Sequence, residues 1–263
     1  MLSTVIENTE VRVSRLSFGT GSMHHIFSPQ QRQRLLETAA LSGFTHFDTA
    51  PYYGYGLAET DLGVFLQGRR GAFTVTTKVG LYPYGKASHS ALEVWARKAT
   101  GRIYPKLSKP EVDWQVKRAA IGLNGSLKRL KTDYVDFMFL HEPDINVINT
   151  DEFLRWLETE KAAGKVRYWG LAGEPTLIKP WLSTNHPLTS VLQTRDDLMT
   201  KQANFILESG RQLQFTYGYL SSIKPNESAD GIIREVLLRN TQGSIVVSTR
   251  HPDRITELAM QVK

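Results

Sequence analysis

Three apolar runs in this 263-residue sequence end in side chains that do chemistry rather than pack. Thr45-His46-Phe47 ends in Asp48, Phe73-Thr74-Val75-Thr76-Thr77 in Lys78, and Phe137-Met138-Phe139-Leu140 in His141. Each alone reads as a charged or polar residue where a strand meets solvent. Together they put an acid, an amine and an imidazole at the ends of three strands. A lysine in a half-buried site needs a counter-charge, because an unpaired buried charge is costly, and Asp48 is the natural partner. The segment Asp48-Thr49-Ala50-Pro51-Tyr52-Tyr53-Gly54 adds phenols close by. An ammonium beside Tyr53 would favour its phenolate and lower its pKa. The result is a general acid for a carbonyl oxygen that becomes an alkoxide, with His141 able to donate a hydrogen bond to the same oxygen. Tyr52 and Tyr55 rival Tyr53 on these grounds, and spacing does not choose among them.

The elements that position these residues form a longer alternation. Val5-Ile6 and Val11-Arg12-Val13 flank Asn8 and predict a small opening hairpin. Strands are expected over 16–18, 45–47, 73–77, 134–140, 166–171, 191–193, 213–215 and 245–247. Helical spacing is expected over 29–41, 58–66, 112–130, 151–163, 176–182, 199–209, 229–239 and 252–262. Gly164 makes a natural stop for the fourth of these. Repeated strand–helix pairs imply a parallel sheet, and eight of them imply closure. The expectation is an α/β chain forming a (β/α)8 TIM barrel with an N-terminal β-hairpin, one domain over residues 1–263. Strand ends in such a barrel converge on one face, where active sites sit. The long irregular stretch is 80–110, with Tyr82, Tyr84, Trp95 and Tyr104, and loops of that length are often functional. A short helix is expected around Trp95.

Composition narrows the classes. With 41% hydrophobic residues the chain has material for a sizeable core. The net charge is +6, but Lys and Arg are scattered among 26 acidic residues, and the densest basic stretch, Lys128-Arg129-Leu130-Lys131, is short. This reads as a basic soluble surface rather than a nucleic-acid footprint. The absence of cysteine excludes disulfides, thiolate catalysis and Cys-ligated zinc. No secretory signal and no bilayer-spanning run is visible, so a cytoplasmic chain without nucleic-acid or membrane partners is expected. His24-His25 lacks a carboxylate at ligand spacing, so no metal is expected; beside the first strand, His24 is instead a candidate pocket residue. His46, His89, His186 and His251 carry no pattern.

The residues with chemistry also carry a likeness. Gly43-Phe44-Thr45-His46-Phe47-Asp48-Thr49-Ala50-Pro51-Tyr52-Tyr53-Gly54, followed by Glu59 and Leu62-Gly63, resembles the signature of the aldo-keto reductase superfamily. Thr77-Lys78 comes next in order, then Ser126 to Leu130 running to Tyr134-Val135-Asp136 and His141, then Gly164-Lys165-Val166-Arg167. The resemblance places the family's four catalytic positions on Asp48, Tyr53, Lys78 and His141, and prefers Tyr53 because it precedes the motif glycine. It implies metal-free hydride transfer between a nicotinamide cofactor, NADP(H), and a small carbonyl or alcohol substrate, by a monomer or weak homo-oligomer.

No Gly-x-Gly-x-x-Gly follows a strand, so a Rossmann fingerprint is absent. Pro252 suits a first helical position, and Arg254 in that first turn opposes the helix dipole unless an anion binds or Asp253 compensates. By resemblance Thr249, Arg250 and Arg254 surround the 2′-phosphate, and Glu257 meets adenine. Gln193 bonds the carboxamide, and Tyr217 stacks on the nicotinamide. Gly19, Thr20, Gly21, Leu220 and Ser248 complete the expected cofactor cleft. Two departures stand out. The family's Ser-Asn pair after the fifth barrel strand is Ala172-Gly173 here, so two side-chain bonds to the carboxamide are missing. The family's Tyr-Ser-Pro-Leu is also altered, to Tyr217-Gly218-Tyr219-Leu220. Many relatives carry a C-terminal loop over the pocket, whereas this sequence ends at Lys263. The 80–110 stretch is therefore expected to form the substrate wall through Tyr82, Tyr84 or Trp95, unless these pack the loop itself; Tyr52 is a further substrate candidate. Two other classes fit parts of the pattern. One is a catalytically weak nicotinamide-binding barrel acting as a sensor or partner-binding module. The other is an isomerase or aldolase using Lys78 as a Schiff base.

Overall fold

A short N-terminal hairpin precedes the strand–helix alternation. Strands β1 (Ser3–Val5) and β2 (Arg12–Ser14) pair antiparallel, and the connection passes through Asn8 at φ 63°. The computed structural model describes residues 1–262 except 86, 89, 102–103, 105–107 and 223–228; His89 lies outside the described residues. From β3 (Leu16–Gly19) the chain alternates strand and helix. It runs through α1 (Pro29–Leu41), β4 (His46–Asp48), α2 (Leu57–Leu66) and β5 (Thr74–Val79). The long connection then holds β6 (Leu81–Tyr82), α3 (Ala91–Thr100) and β7 (Glu111–Val112), with β6 and β7 paired antiparallel. The beat resumes with α4 (Val116–Leu130), β8 (Val135–His141), α5 (Thr150–Ala162), β9 (Val166–Gly173), α6 (Pro175–Leu182) and β10 (Val191–Arg195). It ends with α7 (Asn204–Glu208), β11 (Phe215–Tyr217), α8 (Ala229–Arg239), β12 (Ser244–Val247) and α9 (Pro252–Met260).

Eight strands, β3, β4, β5, β8, β9, β10, β11 and β12, close a parallel barrel in that order, with β12 pairing back onto β3. Local chemistry explains the helix starts. Ser28 accepts from Gln31 N ahead of Pro29 to open α1, and Asn149 accepts from Glu152 N to open α5. Two expected helices are shorter than spacing implied. Glu111-Val112 is drawn off to pair with β6, so α4 begins at Val116. Asp197 accepts from Met199 N and Thr200 N, and Asp196 from Ala203 N, so these turns delay α7 to Asn204. The last expected strands shift by one or two residues.

Alternation along the strands sorts the interior. Inward positions recur every second residue. Ile6, Val11 and Val13 of the hairpin region pack with Phe137, Phe139, Val191 and Phe215 in one buried cluster. His46 sits above them, stacked on Phe215 at 5.1 Å, its ring nitrogens meeting Thr74 Oγ1 at 2.8 Å and Thr76 Oγ1 at 3.0 Å. Two residues further along the same strands come Asp48 and Lys78. The lower barrel is thus apolar and plugged, and charge begins where the strands end. No helix among the described residues is long and apolar enough to cross a membrane.

Candidate active site

The final inward layer forms the floor of a cavity of about 500 Å³. Lys78 Nζ donates to both Asp48 oxygens at 2.8 Å and to Thr49 O at 3.1 Å. The Tyr53 hydroxyl lies 3.3 Å from the same ammonium. Gln193 Nε2 donates to Asp48 Oδ1 at 2.9 Å, so β10 is tied into the floor as well. The His141 ring stands edge-on to Tyr53, with centroids 6.0 Å apart at 86°. Asp48, Tyr53, Lys78, His141 and Gln193 all line the cavity.

Tyr53 is brought to the cavity by an unusual turn. The chain leaves β4 through Thr49 to Tyr52 and then adopts positive φ at Gly54 (59°), Tyr55 (54°) and Gly56 (91°). Only glycine serves at 54: a Cβ there would sit 2.6 Å from His24 Cβ. That contact presses the turn onto the β3–α1 connection and leaves Tyr53, not Tyr55, facing Lys78.

Electrostatics assign the protonation states. Burial alone would lower the Lys78 pKa, but Asp48 and Tyr53 reverse this, and the net direction is up. Lys78 is a committed cation. Burial raises the Tyr53 phenol above its ordinary value, and the Lys78 charge offsets only part of that rise. The expectation of a lowered Tyr53 pKa is therefore corrected: desolvation outweighs the neighbouring ammonium, and the phenol keeps its proton at neutral pH. Burial, with Lys78 nearby, lowers His141 to about 3. Its imidazole is neutral across the ordinary range, which suits hydrogen bonding rather than proton supply. His141 Nδ1 has no hydrogen-bond partner among the described residues.

Towards β11 and β12 the cavity opens. Gly19, Gly21, Tyr217, Leu220 and Ser248 line it, and Ser22 Oγ meets Ser248 Oγ at 2.7 Å across the mouth. Thr20 is fully buried beneath this wall and donates to Asp48 O at 3.0 Å. Beyond Ser248, Thr249 Oγ1 accepts from His251 N at 3.2 Å, just ahead of α9. Arg250 is exposed and Arg254 half-buried in the first helical turn; neither makes an ion pair among the described residues. Asp253 is in the same turn but does not pair with Arg254. Glu257 is exposed one turn on.

The structure does not bring the expected substrate residues to the cavity wall. Tyr82 is 1% exposed and packs on α4, under the Arg118 guanidinium at 4.0 Å and against Gly122. Tyr84 and Trp95 are exposed. Tyr52 turns its hydroxyl to Ser108 O at 2.6 Å. His24 stacks on His25 and meets Lys98 of α3, and burial and that lysine hold it at about 4. These contacts pin α3 onto the turns that carry Tyr53, so the long connection acts as a clasp on the site's frame. Pattern reading overlooks Glu142, Glu174, Gly218, Val246 and Val247, which do line the cavity. Glu142 directly follows His141, but nothing in the sequence marks its left-handed backbone, φ 55°. Among the described residues no group of three His, Cys, Asp or Glu side chains could hold a metal ion.

Barrel and site together have counterparts among known proteins. Residues 15–191 match the family model for the aldo/keto reductase family. This chain belongs to that family. It is 29% identical over 176 residues to L-galactose dehydrogenase of Arabidopsis thaliana, covering 64% of this chain and 47% of that protein. It is 30% identical over 168 residues to D-threo-aldose 1-dehydrogenase of a Pseudomonas species, covering 60% and 50%. The chain thus spans about half the length of these curated relatives. Among solved structures it superposes on the holo form of an aldo-keto reductase from Bacillus halodurans with TM-score 0.76 and 21% identity, over 100% of this chain and 91% of that one. An aldo-keto reductase from Klebsiella pneumoniae in complex with NADPH gives 0.69 at 17%, over 100% and 90%. At those identities the likeness is one of fold.

Proposed function

We propose that this chain interconverts an aldehyde or ketone and its alcohol by hydride transfer with NADP(H), using Tyr53 as the general acid or base. The observation that carries the reading is the hydrogen-bonded chain from Gln193 through Asp48 and Lys78 to the Tyr53 hydroxyl, at the floor of an open cavity. The residues around the cavity suit a dinucleotide. Gly19, Gly21, Gly173 and Gly218 let a flat ring approach the backbone, and Tyr217 supplies a half-buried aromatic face. Arg250 and Arg254 offer cations without an ion-pair partner among the described residues at the start of α9, where a phosphate is favoured. Gln193, Tyr217, Leu220 and Ser248 would hold the nicotinamide end, and Thr249, Arg250, Arg254 and Glu257 the adenosine 2′-phosphate end. NADPH bound there would supply hydride.

The chain's own residues do the remaining work. The Tyr53 phenol and the neutral His141 ring donate to the carbonyl oxygen and orient it. As hydride adds to carbon, the Tyr53 proton passes to oxygen, giving the alcohol and a phenolate. Lys78, held cationic by Asp48, stabilises that phenolate and so makes Tyr53 a competent acid despite its burial. Alcohol oxidation reverses each transfer. Lys78 is poorly suited to a Schiff base, because a free amine is needed and its proton is held by two carboxylate oxygens. The intact Tyr53–Lys78–Asp48 geometry supports catalysis over a sensor module. The relatives' names make sugars the first substrates to try. The test is NADPH oxidation, or NADP+ reduction, with a panel of simple aldehydes, ketones, aldoses and alcohols. Cofactor binding without turnover of any of them would return the sensor reading.

A further inference from the structure

The cofactor reading leaves two side-chain contacts missing, and the structure holds a residue positioned to supply one of them. Ala172 and Gly173 offer no polar side chain at the end of β9. Beside Gly173, the chain leaving β8 places Glu142. Its backbone N donates to Ala172 O at 2.7 Å, and its Oε2 accepts from Glu174 N at 3.0 Å. A Cβ on Gly173 would meet Oε2 at 2.8 Å and the Glu142 Cα at 3.2 Å. The carboxylate therefore occupies space that a side chain at 173 would enter, and it would have to shift to admit one. Glu142 is held in the left-handed region, φ 55°, an uncommon state for a residue with a Cβ and one that clusters at functional sites.

We infer that Glu142 binds the nicotinamide carboxamide in place of the side chains absent at 172 and 173. The inference rests on the cofactor reading above. A carboxylate on Asp48 can only accept, so Gln193 must spend its amide nitrogen there. Gln193 thus keeps its Oε1, besides its second N–H, for a ligand. A primary carboxamide carries two N–H donors. One suits Gln193 Oε1; the other suits Glu142 Oε1, which has no hydrogen bond among the described residues. Glu142, Gly173, Gln193 and Tyr217 line the same cavity, so acceptor, gap and ring face stand together.

The experiment compares binding of NADPH with binding of its reduced 3-acetylpyridine analogue, in which a methyl replaces the carboxamide NH2. Dissociation constants are read from cofactor fluorescence for the wild type, Glu142→Ala and Glu142→Gln. The Gln variant keeps an acceptor for Glu174 N and turns its NH2 toward the ligand, so it isolates the second oxygen. Thermal melts check that both variants fold. The expected result is about tenfold weaker NADPH binding in both variants, one charge-assisted hydrogen bond's worth, with the analogue changed less than about twofold. Equal losses for both dinucleotides would show that Glu142 only shapes the loop, and unchanged NADPH binding would show that it is idle; either overturns the inference while leaving the cofactor reading intact. A wild type that binds neither dinucleotide sinks the cofactor reading and this inference with it.

Discussion

The floor and the mouth of the cavity handle charge in opposite ways. On the floor, Asp48 and Lys78 are 5% and 2% exposed, and the Lys78 ammonium meets three acceptors within the protein. At the mouth, Arg250 and Arg254 sit beside Ser248 and Thr249 without an ion-pair partner among the described residues. A buried charge left unpaired would destabilise the fold by several kcal/mol, so the floor must be complete before any ligand arrives. An exposed arginine carries little such penalty and can wait for an anion. On the proposed reading, the floor thus carries chemistry and stability together, and the mouth recognition. Substitutions on the floor should disturb turnover and folding. Those at the mouth should disturb only affinity.

The largest effect belongs to Tyr53. Tyr53→Phe should lower turnover by about 10²- to 10⁴-fold, the usual contribution of a positioned general acid, while NADPH binding stays within about twofold. Steady-state rates and fluorescence titration check both halves; near-normal turnover would remove Tyr53 from the acid role. Next comes Lys78→Met, which strands Asp48 in a buried layer. Urea unfolding should show a loss of about 3–5 kcal/mol. Adding Asp48→Asn should restore part of it, since a neutral amide needs no counter-charge. If the double variant were no more stable than the single one, Asp48 and Lys78 would not act as a unit.

The same contrast explains what can be read from sequence. The floor is legible because strands announce themselves by apolar alternation, and a charge at the end of such a run is conspicuous. Asp48, Lys78 and His141 each follow an apolar run, and the eight strand–helix pairs fall close to where spacing puts them. Choosing Tyr53 over Tyr52 and Tyr55 needs the resemblance, because the choice depends on positive φ at 54 to 56, which no local pattern encodes. The substrate wall is least legible. Tyr82, Tyr84 and Trp95 share a loop whose path depends on contacts with α4 and the β3–α1 turn, and aromatic content does not reveal which ring turns inward. Glu142 is invisible for the same reason. Its placement depends on a turn after β8 and on a missing side chain on the neighbouring strand. The direction of the Tyr53 shift also needs coordinates, since it balances burial against one ammonium.

At the mouth the expected effects are smaller and purely of affinity. Arg254→Ala should weaken NADPH binding about tenfold, as loss of one charge-assisted contact implies, and leave NADH nearly unchanged. Rising salt should narrow the gap between the two cofactors in the wild type, because the arginines are open to solvent. Equal losses for NADPH and NADH would place the 2′-phosphate elsewhere.

The smallest effect tests the floor's foundation rather than its chemistry. His46 is 0% exposed, and burial lowers its pKa to about 4, with Asp48 and Asp136 opposing that shift and Lys78 and Arg70 reinforcing it. Below pH 6.5 the unfolded chain's imidazole takes a proton that the folded one refuses until about pH 4. The unfolded state thus binds more protons in that window, and stability is full above pH 6.5 and falls as the pH drops toward 4. Between pH 6.5 and 5.5 His46 should contribute about 1 kcal/mol of that loss, alongside His24 and His141, which burial also lowers; urea unfolding measures it. His46→Gln should be less stable at pH 7 but should flatten this slope. A mouth variant such as Arg254→Ala should keep the wild-type slope, because it leaves His46 and its surroundings intact. A slope unchanged by His46→Gln would assign the acid sensitivity to other groups and detach His46 from the layer beneath Asp48 and Lys78.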